Sequence, residues 1–411
     1  MKRNIHKTAQ ILVVVMGMLV LAGCGNRTAR HRSLGVEPGL FHRFLSRADT
    51  LSDSPRDELV HELLTIIDES PKYSYPYTED TTAVFIYTGD AQHVRVAGDW
   101  NDWEPIDTLV HMKGTDLFYR EMHFPKKARL DYKMVVDGVW ILDPRNPRQI
   151  SGGFGPNSEL AMPGYKTPEA IQPHPDLKER GHVEPFVYTA KLDKSTRTIQ
   201  VYLPYGYSTE DSTRYPTLYV NDGSDYINLA YMVNTLDYMI AKGLCRPLIV
   251  VFVDAANHDT EYWLNEKYMK LFTTEIVPMI DSRYHTINSP SERGIMGSSL
   301  GGLTAIYFAH FNPNLFGLVA GQSSALWVDN QYIIDVIEAD SSTGIKYDLG
   351  WGSFEGDDVT LLNQRLVEIL QDKGNPLTWR ERPEGPSWGH WRATVVDILE
   401  DLYPPVAKKG S

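Results

Sequence analysis

Apolar and polar positions follow three different patterns along the chain. Leu59, Leu63 and Ile66 recur at helical spacing before Pro71, which predicts one short helix. In residues 81–165, apolar positions alternate with polar ones in short runs separated by turns, a pattern typical of a small immunoglobulin-like β-sandwich. In residues 182–404, strand-like runs alternate with helical segments, which predicts an α/β architecture.

The C-terminal pattern predicts a three-layer α/β sandwich in particular. Residues 247–253 form a continuous apolar run, as expected for a strand that is buried on both faces of a parallel sheet. Strand-like segments at residues 198–203 and 217–220 precede it, and helical spacing follows at residues 268–280 and 361–370.

The N-terminus has the pattern of an export signal over residues 1–23. Basic residues precede an apolar run at residues 11–21, which is too short to cross a bilayer, since crossing needs about 20 residues. Small residues then lead into Cys24 and resemble the lipobox of bacterial lipoproteins. The resemblance implies an exported protein anchored to the outer membrane through lipid on Cys24, facing the periplasm or the cell surface. Residues 24–80 are predicted to be a tether containing the short helix.

Composition narrows the possible functions. The chain has 411 residues, of which 42% are hydrophobic, so it can form a large core. A net charge of −13 argues against a nucleic-acid-binding protein, which needs clustered Lys and Arg. Two cysteines cannot form a disulfide framework or a four-thiolate zinc site, and Cys245 is assigned to packing. We expect no metal and no cofactor.

The most informative motif surrounds Ser299. Gly297-x-Ser299-x-Gly301 has the spacing of a nucleophile elbow, in which the serine occupies a strained turn between a strand and a helix. A short apolar strand precedes the motif and a helix rich in small residues follows it. Ser299 is therefore the predicted nucleophile, and the Leu300 N–H is the predicted first donor of an oxyanion hole. For the second donor we favour the amide of Ser224 over that of Gly223.

His390 is the predicted catalytic base. His310 lies along the helix that follows Ser299, about 16 Å away, whereas His258 and His285 precede the serine in a fold that orders its triad Ser, acid, His. His390 occupies a loop between a predicted strand and the last helix. The acid is expected after an intervening strand, where Glu355 comes first and Asp357 and Asp358 stay open as alternatives.

The sandwich segment carries a resemblance of its own. The sequence VRVAGDWNDW at residues 94–103 is similar to early-set domains that stand beside glycogen-active enzymes and in front of some esterases. Some such domains bind glycans through exposed tryptophans. Packing is the favoured role for Trp100, Trp103 and Trp140, with glycan binding as the alternative. The glycine cluster in residues 151–155 is interpreted as the end of the domain, without a nucleotide role.

Four motifs in the C-terminal half point to one family. YPTLYVNDG at residues 215–223, TEIVPMIDSRY at 274–284, GSSLGG at 297–302 and GHW at 389–391 occur in that order. The region resembles the enterochelin esterase/feruloyl esterase branch of the α/β-hydrolases, the esterase D-like family. The resemblance implies carboxylic-ester hydrolysis by a metal-free triad, whose residues map by motif onto Ser299, Glu355 and His390.

The sequence leaves the ester open. Feruloyl or acetyl esters of polysaccharides or oligosaccharides fit an exported lipoprotein with a possible glycan-binding module, whereas a ferric siderophore would favour a basic pocket. Three tryptophans flank the proposed acid and base and are candidates for substrate binding, with ordinary hydrophobic packing as an equal alternative for each: Trp351, Trp388 and Trp391. Four arginines are available for a basic pocket: Arg293, Arg380, Arg382 and Arg392. A third hypothesis is a non-catalytic glycan-binding surface lipoprotein.

Overall fold

The computed structural model describes residues 34–35, 38–153, 155–341 and 344–405. The predicted export signal at residues 1–23 and the predicted lipid attachment at Cys24 lie outside these residues, and both stay predictions. Within the described ranges, no helix is long and apolar enough to cross a bilayer.

Two helices precede the sandwich: α1 (Leu40–Ala48) and α2 (Asp53–Glu69). Helix α2 confirms the helix predicted from its spacing. Helix α1 corrects the predicted tether, because Leu40, Phe41 and Phe44 are buried and pack with α2 against the sandwich. The surrounding sequence is polar and rich in arginine on average, but its few apolar residues fall on one side of a helix.

The predicted β-sandwich is present and begins at Tyr77, slightly earlier than expected. Its strands are β1 (Tyr77–Glu79), β2 (Thr82–Thr88), β3 (Val94–Gly98), β4 (Asp107–Thr108), β5 (Val110–His111), β6 (Leu117–His123), β7 (Arg129–Val136), β8 (Val139–Ile141), β9 (Gln149–Ile150) and β10 (Asn157–Ala161). One sheet has the order β1-β2-β6-β5, and the other has the order β4-β3-β7-β10-β9 with β8 paired to β7. All of these pairings are antiparallel.

Strand β2 is apolar at consecutive positions because both of its faces are covered. Ala83 and Phe85 point into the core between the two sheets. Val84 and Ile86 point the other way and pack with α1 and α2. Since side chains alternate along a strand, one continuous apolar run serves two cores.

The C-terminal domain is the predicted three-layer sandwich. Its sheet contains β11 (His182–Thr189), β12 (Thr196–Leu203), β13 (Thr217–Asn221), β14 (Ile249–Val253), β15 (Arg293–Ser298), β16 (Leu318–Gln322), β17 (Lys346–Gly352) and β18 (Leu377–Arg382). Its helices are α3 (Gly223–Asn228), α4 (Met232–Ala241), α5 (His258–Glu261), α6 (Glu266–Leu271), α7 (Val277–Arg283), α8 (Leu300–Phe311), α9 (Tyr332–Ala339), α10 (Asp357–Asp372) and α11 (Trp388–Leu402).

The order of the sheet is β11-β12-β14-β13-β15-β16-β17-β18. Strands β11, β12 and β14 pair antiparallel, and the pairs from β14 through β13 to β18 are parallel. In β14, Val251 belongs to the core on one face and Val250 to the core on the other. This is an α/β-hydrolase sheet, whose functional residues are expected at the carboxyl ends of the parallel strands.

Candidate active site

Ser299 occupies the sharp turn between β15 and α8. Its φ of 50° and ψ of −120° are values that a non-glycine residue rarely adopts, and its side chain is exposed. The turn is held because the Ser299 N–H donates to the Gln322 carbonyl at 2.8 Å. Gly297 permits the close approach of helix to strand, since a Cβ there would lie 2.4 Å from the Gly301 carbonyl carbon. The predicted strand–turn–helix context is confirmed.

His390 lies in the first turn of α11, and not in the loop before this helix as predicted, because α11 begins at Trp388; its side chain is completely buried. Ser387 caps this helix, and its Oγ accepts from the His390 N–H at 3.5 Å. Neither ring nitrogen has a hydrogen-bond partner among the described residues. Ser387, Trp388 and Trp391 surround the histidine in sequence and line the same cavity as Ser299.

Two buried glutamates carry the charge nearest to His390. Glu384 Oε2 lies 3.5 Å from His390 Nδ1. Burial by itself raises the pKa of Glu384, but the charges of His390, Arg129 and Arg382 outweigh it and hold that pKa below its ordinary value. Glu384 is therefore the carboxylate in contact with the imidazole, and the sequence prediction did not include it.

Glu355, the predicted acid, lies close by but is held by other groups. Its Oε1 accepts from Ser323 Oγ and from the Gly352 N–H, both at 2.7 Å. Burial raises its pKa, and the nearby charge of His390 opposes that rise. Its Oε2 has no hydrogen-bond partner among the described residues. Both glutamates thus lie near enough to interact with the charge of His390, and Glu384, at 3.5 Å from Nδ1, is the one that contacts the ring.

The predicted oxyanion donors have different outcomes. Leu300 begins α8, so its N–H has no acceptor within the helix and is available to a ligand. The Ser224 N–H donates to Asp254 Oδ1 at 2.7 Å, and Ser224 Oγ donates to the same carboxylate. The assignment of Ser224 is therefore wrong, because that amide is already used. The alternative that the sequence left is Gly223, the first residue of α3.

A cavity of 330 Å³ opens at Ser299 and is built by both domains. The hydrolase supplies residues from the strand ends and from α11: Asp222, Asp225, His258, Ser298, Ser299, Pro386, Ser387, Trp388 and Trp391. The sandwich supplies the rest: Asp131, Ser151, Gly152, Gly153, Gly155 and Asn157. The glycine cluster that the sequence analysis interpreted as a domain end is therefore part of the cavity wall.

The cavity is acidic. Burial raises the pKa of Asp222 to about 7; Asp225 and Asp254 act in the same direction and His258 opposes them. Burial and Asp254 also raise the pKa of Asp225. Of the described residues that line the cavity, none is Lys or Arg.

The four arginines that could have formed a basic pocket are committed elsewhere. Arg293 is fully buried and pairs with Asp281 at 2.6 Å. Arg380 pairs with Asp348 at 3.2 Å, and Arg382 pairs with Asp397 at 2.5 Å. Arg392 lies over the ring of Tyr231 at 4.9 Å. These arginines do not converge on Ser299.

Two of the three candidate tryptophans reach the cavity. Trp388 and Trp391 line it and meet edge to face, with ring centroids 5.1 Å apart. Trp351 is fully buried and stacks on Trp379 at 5.6 Å, so its assignment to the substrate site is wrong. Trp351 lies within β17 and not in the loop that follows this strand, and its Nε1 donates to Glu381.

The tryptophans of the sandwich follow the packing interpretation in part. Trp100 packs on Phe85 at 5.2 Å, and Trp103 Nε1 donates to Asp99 at 3.2 Å. Trp140 is 44% exposed on β8, whereas Trp100 and Trp103 are half-buried, so Trp140 is the most exposed of the three. Cys245 is buried in the hydrolase core, as predicted.

The described residues contain no group of three or more His, Cys, Asp or Glu side chains arranged to hold a metal ion. The absence of a cofactor stays a prediction.

Comparison with known sequences gives two family matches. Residues 190–402 match the Esterase family. Residues 81–152 match the family described as the glycogen recognition site of AMP-activated protein kinase. The first match covers the whole α/β domain from β12 onward, and the second covers most of the sandwich.

Individual relatives are distant. The YbbA protein of Bacillus subtilis is 27% identical over 33% of this chain, and the endo-1,4-beta-xylanase/feruloyl esterase of Xylanibacter ruminicola is 25% identical over 45% of it. The chain spans 59% and 27% of the lengths of these two proteins. The structure of ferric enterobactin esterase from Salmonella typhimurium is 18% identical, with a TM-score of 0.69 over 79% of this chain and 94% of that one. At that identity the structural likeness shows the fold. The chain belongs to the Esterase family, with an early-set sandwich in front of its α/β-hydrolase domain.

Proposed function

We propose that the protein is a serine carboxylic-ester hydrolase that acts on neutral feruloyl or acetyl esters of polysaccharides or oligosaccharides. The observation that carries the proposal is the strained, exposed Ser299, which lines a cavity together with residues that flank His390 in sequence. Membership of the Esterase family supports the reaction class. The feruloyl esterase among the relatives supports the substrate class.

In the proposed reaction Ser299 Oγ attacks the ester carbonyl carbon while His390 accepts the hydroxyl proton. The bond to the alcohol oxygen then breaks, and His390 returns the proton to the leaving alcohol. Water attacks the acyl-enzyme in the second half while His390 takes its proton. The bond from the acyl carbon to Ser299 Oγ then breaks, and His390 returns the proton to Ser299 Oγ, which releases the acid and restores the free hydroxyl. The Leu300 N–H, with Gly223 as the remaining candidate for a second donor, stabilises the negative charge on the carbonyl oxygen.

The nearby carboxylates have separate tasks in this proposal. Glu384, at 3.5 Å from Nδ1, stabilises the imidazolium that forms when the proton is transferred. Glu355 fixes the Ser323 hydroxyl, which in turn accepts from the indole of Trp391 at 2.9 Å. Trp391 and Trp388 provide the apolar wall against which an aryl or sugar ring packs.

The charge of the cavity favours a neutral ester. Asp131, Asp222 and Asp225 line it, and the described lining contains no Lys or Arg. A ferric catecholate is a polyanion, and the described cavity wall offers no Lys or Arg to pair with it, since the nearby Arg129 is already paired with Asp131 at 2.5 Å. A feruloyl or acetyl ester is uncharged at neutral pH and needs no such partner.

The rival is a ferric-siderophore esterase. It is favoured by the structural likeness to ferric enterobactin esterase, which extends over 94% of that chain and includes the region of the sandwich. The acidic cavity argues against it.

We further propose that the protein is exported and lipid-anchored through Cys24, as its N-terminal sequence suggests. Glycan binding by the sandwich is supported by the family match and by the exposed Trp140. Retention of the full chain on insoluble xylan or glycogen, compared with its Trp140→Ala variant, tests that role. Equal retention of the two proteins would remove Trp140 from it.

The test of the esterase proposal compares the purified protein with Ser299→Ala on methyl ferulate, p-nitrophenyl acetate and ferric enterobactin. Ser291→Ala is the matched control, because Ser291 is exposed and its Oγ contacts Ser289. We expect Ser299→Ala to lower kcat by about 10⁴-fold or more and the control to keep wild-type rates.

Equal background hydrolysis by the wild type and Ser299→Ala would overturn the esterase assignment and favour the non-catalytic alternative. A higher kcat/KM on ferric enterobactin than on the neutral esters would replace the proposed substrate class with the siderophore. If the neutral esters are preferred, release of ferulate from arabinoxylan would show that the enzyme acts on a polysaccharide ester and not only on small-molecule esters.

A further inference from the structure

Arg129 is an arginine of the sandwich that is completely buried at the boundary with the hydrolase. It begins β7, and its backbone N–H donates to the Pro383 carbonyl at 3.1 Å. Arg129 and Glu384 also form a parallel β-bridge. The backbone of the sandwich is therefore bonded to the segment that carries Glu384 and leads to His390.

The side chain of Arg129 reaches the cap of the helix that holds His390. Its Nη1 donates to Ser387 Oγ at 2.8 Å, and the same oxygen accepts from the His390 N–H. One hydroxyl group thus separates the guanidinium from the backbone of the histidine. The positive charge of Arg129 also helps to hold Glu384 ionised.

The sandwich fixes the guanidinium from the other side. Nη2 donates to Asp131 at 2.5 Å, and Nε donates to Glu159 at 2.7 Å. Because three of its nitrogens have partners, Arg129 has little freedom to move. A long side chain held in this way is a rigid support rather than an adaptable surface contact.

Two glycines allow the histidine loop to lie directly on this support. A Cβ at Gly389 would lie 2.1 Å from Cζ of Arg129, and a Cβ at Gly385 would lie 2.2 Å from Cγ of Asp99. Any larger residue at either position would push the loop away from the sandwich. The close approach therefore depends on glycine at both ends of the turn into α11.

The neighbouring loop, which carries Glu355, docks on the same domain. Phe354 packs against the core of the sandwich, with its ring centroid 6.4 Å from that of Phe124. Its N–H donates to the Glu384 carbonyl at 3.1 Å, so the two loops are also joined to each other.

We propose that Arg129 is a positioning residue for His390, so that the sandwich completes the active site of the hydrolase. The inference rests on the proposed function, because it assigns a task at the same histidine. Loss of Arg129 leaves the loop of residues 383–391 without its main polar anchor. A displacement of the base by about 1 Å can cost about 100-fold in rate.

The test compares Arg129→Met with the control Arg120→Met in the full chain. Arg120 is also an arginine of the sandwich, and it pairs with Asp107 at 3.1 Å inside that domain. We expect Arg129→Met to lower kcat on methyl ferulate by about 100-fold with KM changed less than about threefold. Amide hydrogen exchange in residues 383–391, followed by mass spectrometry, is expected to accelerate in Arg129→Met and to stay at the wild-type rate in Arg120→Met.

A kcat for Arg129→Met equal to that of the control, with unchanged exchange in the loop, would overturn the inference. If Arg129→Met does not fold, Gly389→Ala decides the question against Gly350→Ala, whose Cβ would meet its nearest neighbour at an ordinary 3.8 Å. Loss of kcat in Gly389→Ala alone supports the inference, and equal rates reject it. An inactive wild type would refute the proposed esterase, but the exchange comparison would still show whether Arg129 holds the loop.

Discussion

Replacing Glu384 by Gln tests which carboxylate assists His390. The substitution keeps the size of the side chain and a carbonyl oxygen that accepts hydrogen bonds, but it removes the negative charge 3.5 Å from Nδ1. The same change at Glu355 is the matched comparison, because Glu355 is also buried beside the histidine and its Oε1 is held by two donors.

The size of the effect follows from the distance. Two unit charges 3.5 Å apart attract by about 5 kcal/mol at an effective dielectric constant of about 20. Part of this is retained in Glu384→Gln, since the amide oxygen still accepts a hydrogen bond. We expect a loss of about 3 kcal/mol in transition-state stabilisation, which is a fall in kcat of about 100-fold. Glu355→Gln is expected to lower kcat by less than about tenfold.

The assay is the steady-state rate on methyl ferulate at pH 7.5, with circular dichroism and thermal unfolding to establish that each variant is folded. Values of kcat are compared for the wild type, Glu384→Gln, Glu355→Gln and the double variant. The reasoning is refuted if Glu355→Gln loses about 100-fold while Glu384→Gln stays within tenfold. In that case Glu355 is the triad acid that its position after β17 suggested.

Three further results are expected. Trp388→Ala should raise KM for methyl ferulate about tenfold, whereas Trp351→Phe should leave KM unchanged, because Trp388 lines the cavity and Trp351 does not. Asp222 has a pKa of about 7 in the folded protein against an ordinary 3.8. The stabilisation that comes from its protonated form is therefore complete below pH 4 and is lost as the pH rises through 7. Urea unfolding should find Asp222→Asn more stable than the wild type at pH 8.5 but not at pH 4. The inhibition constant of free ferulate, an anion, should fall as salt screens the acidic cavity, while KM for the neutral methyl ester should not change; equal salt dependence would contradict the role of the carboxylates.

Much of the fold could be predicted because its signals are local. The continuous apolar run of β14 and the alternating strands of the sandwich each reflect the period of a strand and the number of faces that it buries. Helix α1 was missed because its apolar residues are few and lie in a polar, arginine-rich stretch. They are buried only because the outer face of the first sheet of the sandwich is there to receive them.

The residues of the site likewise divide into those that local sequence predicts and those that depend on the fold. The turn at Ser299 could be recognised because its glycines and its strand–helix context are contiguous in sequence. The sequence cannot show that the Ser224 amide is already bonded, because its partner Asp254 lies 30 residues away. The two residues meet only because β13 and β14 are neighbours in the sheet. The sequence does not single out Glu384, because the acid of this fold is expected in the loop after β17, whereas Glu384 lies only six residues before His390 in the connection to α11.

The net negative charge of the chain bears on the choice of ester only through the carboxylates that lie at the site. A net charge of −13 is an average over the sequence, and it selects no ester because surface charges far from a site are screened within about 10 Å. Asp222 and Asp225 line the cavity itself, so their field acts on a bound substrate with little water between. Asp131 belongs to the sandwich and lines the same cavity while it holds Arg129. The sandwich, which we propose positions His390, therefore also supplies part of the cavity wall that the ester meets, and a change at Asp131 should alter substrate choice and kcat together.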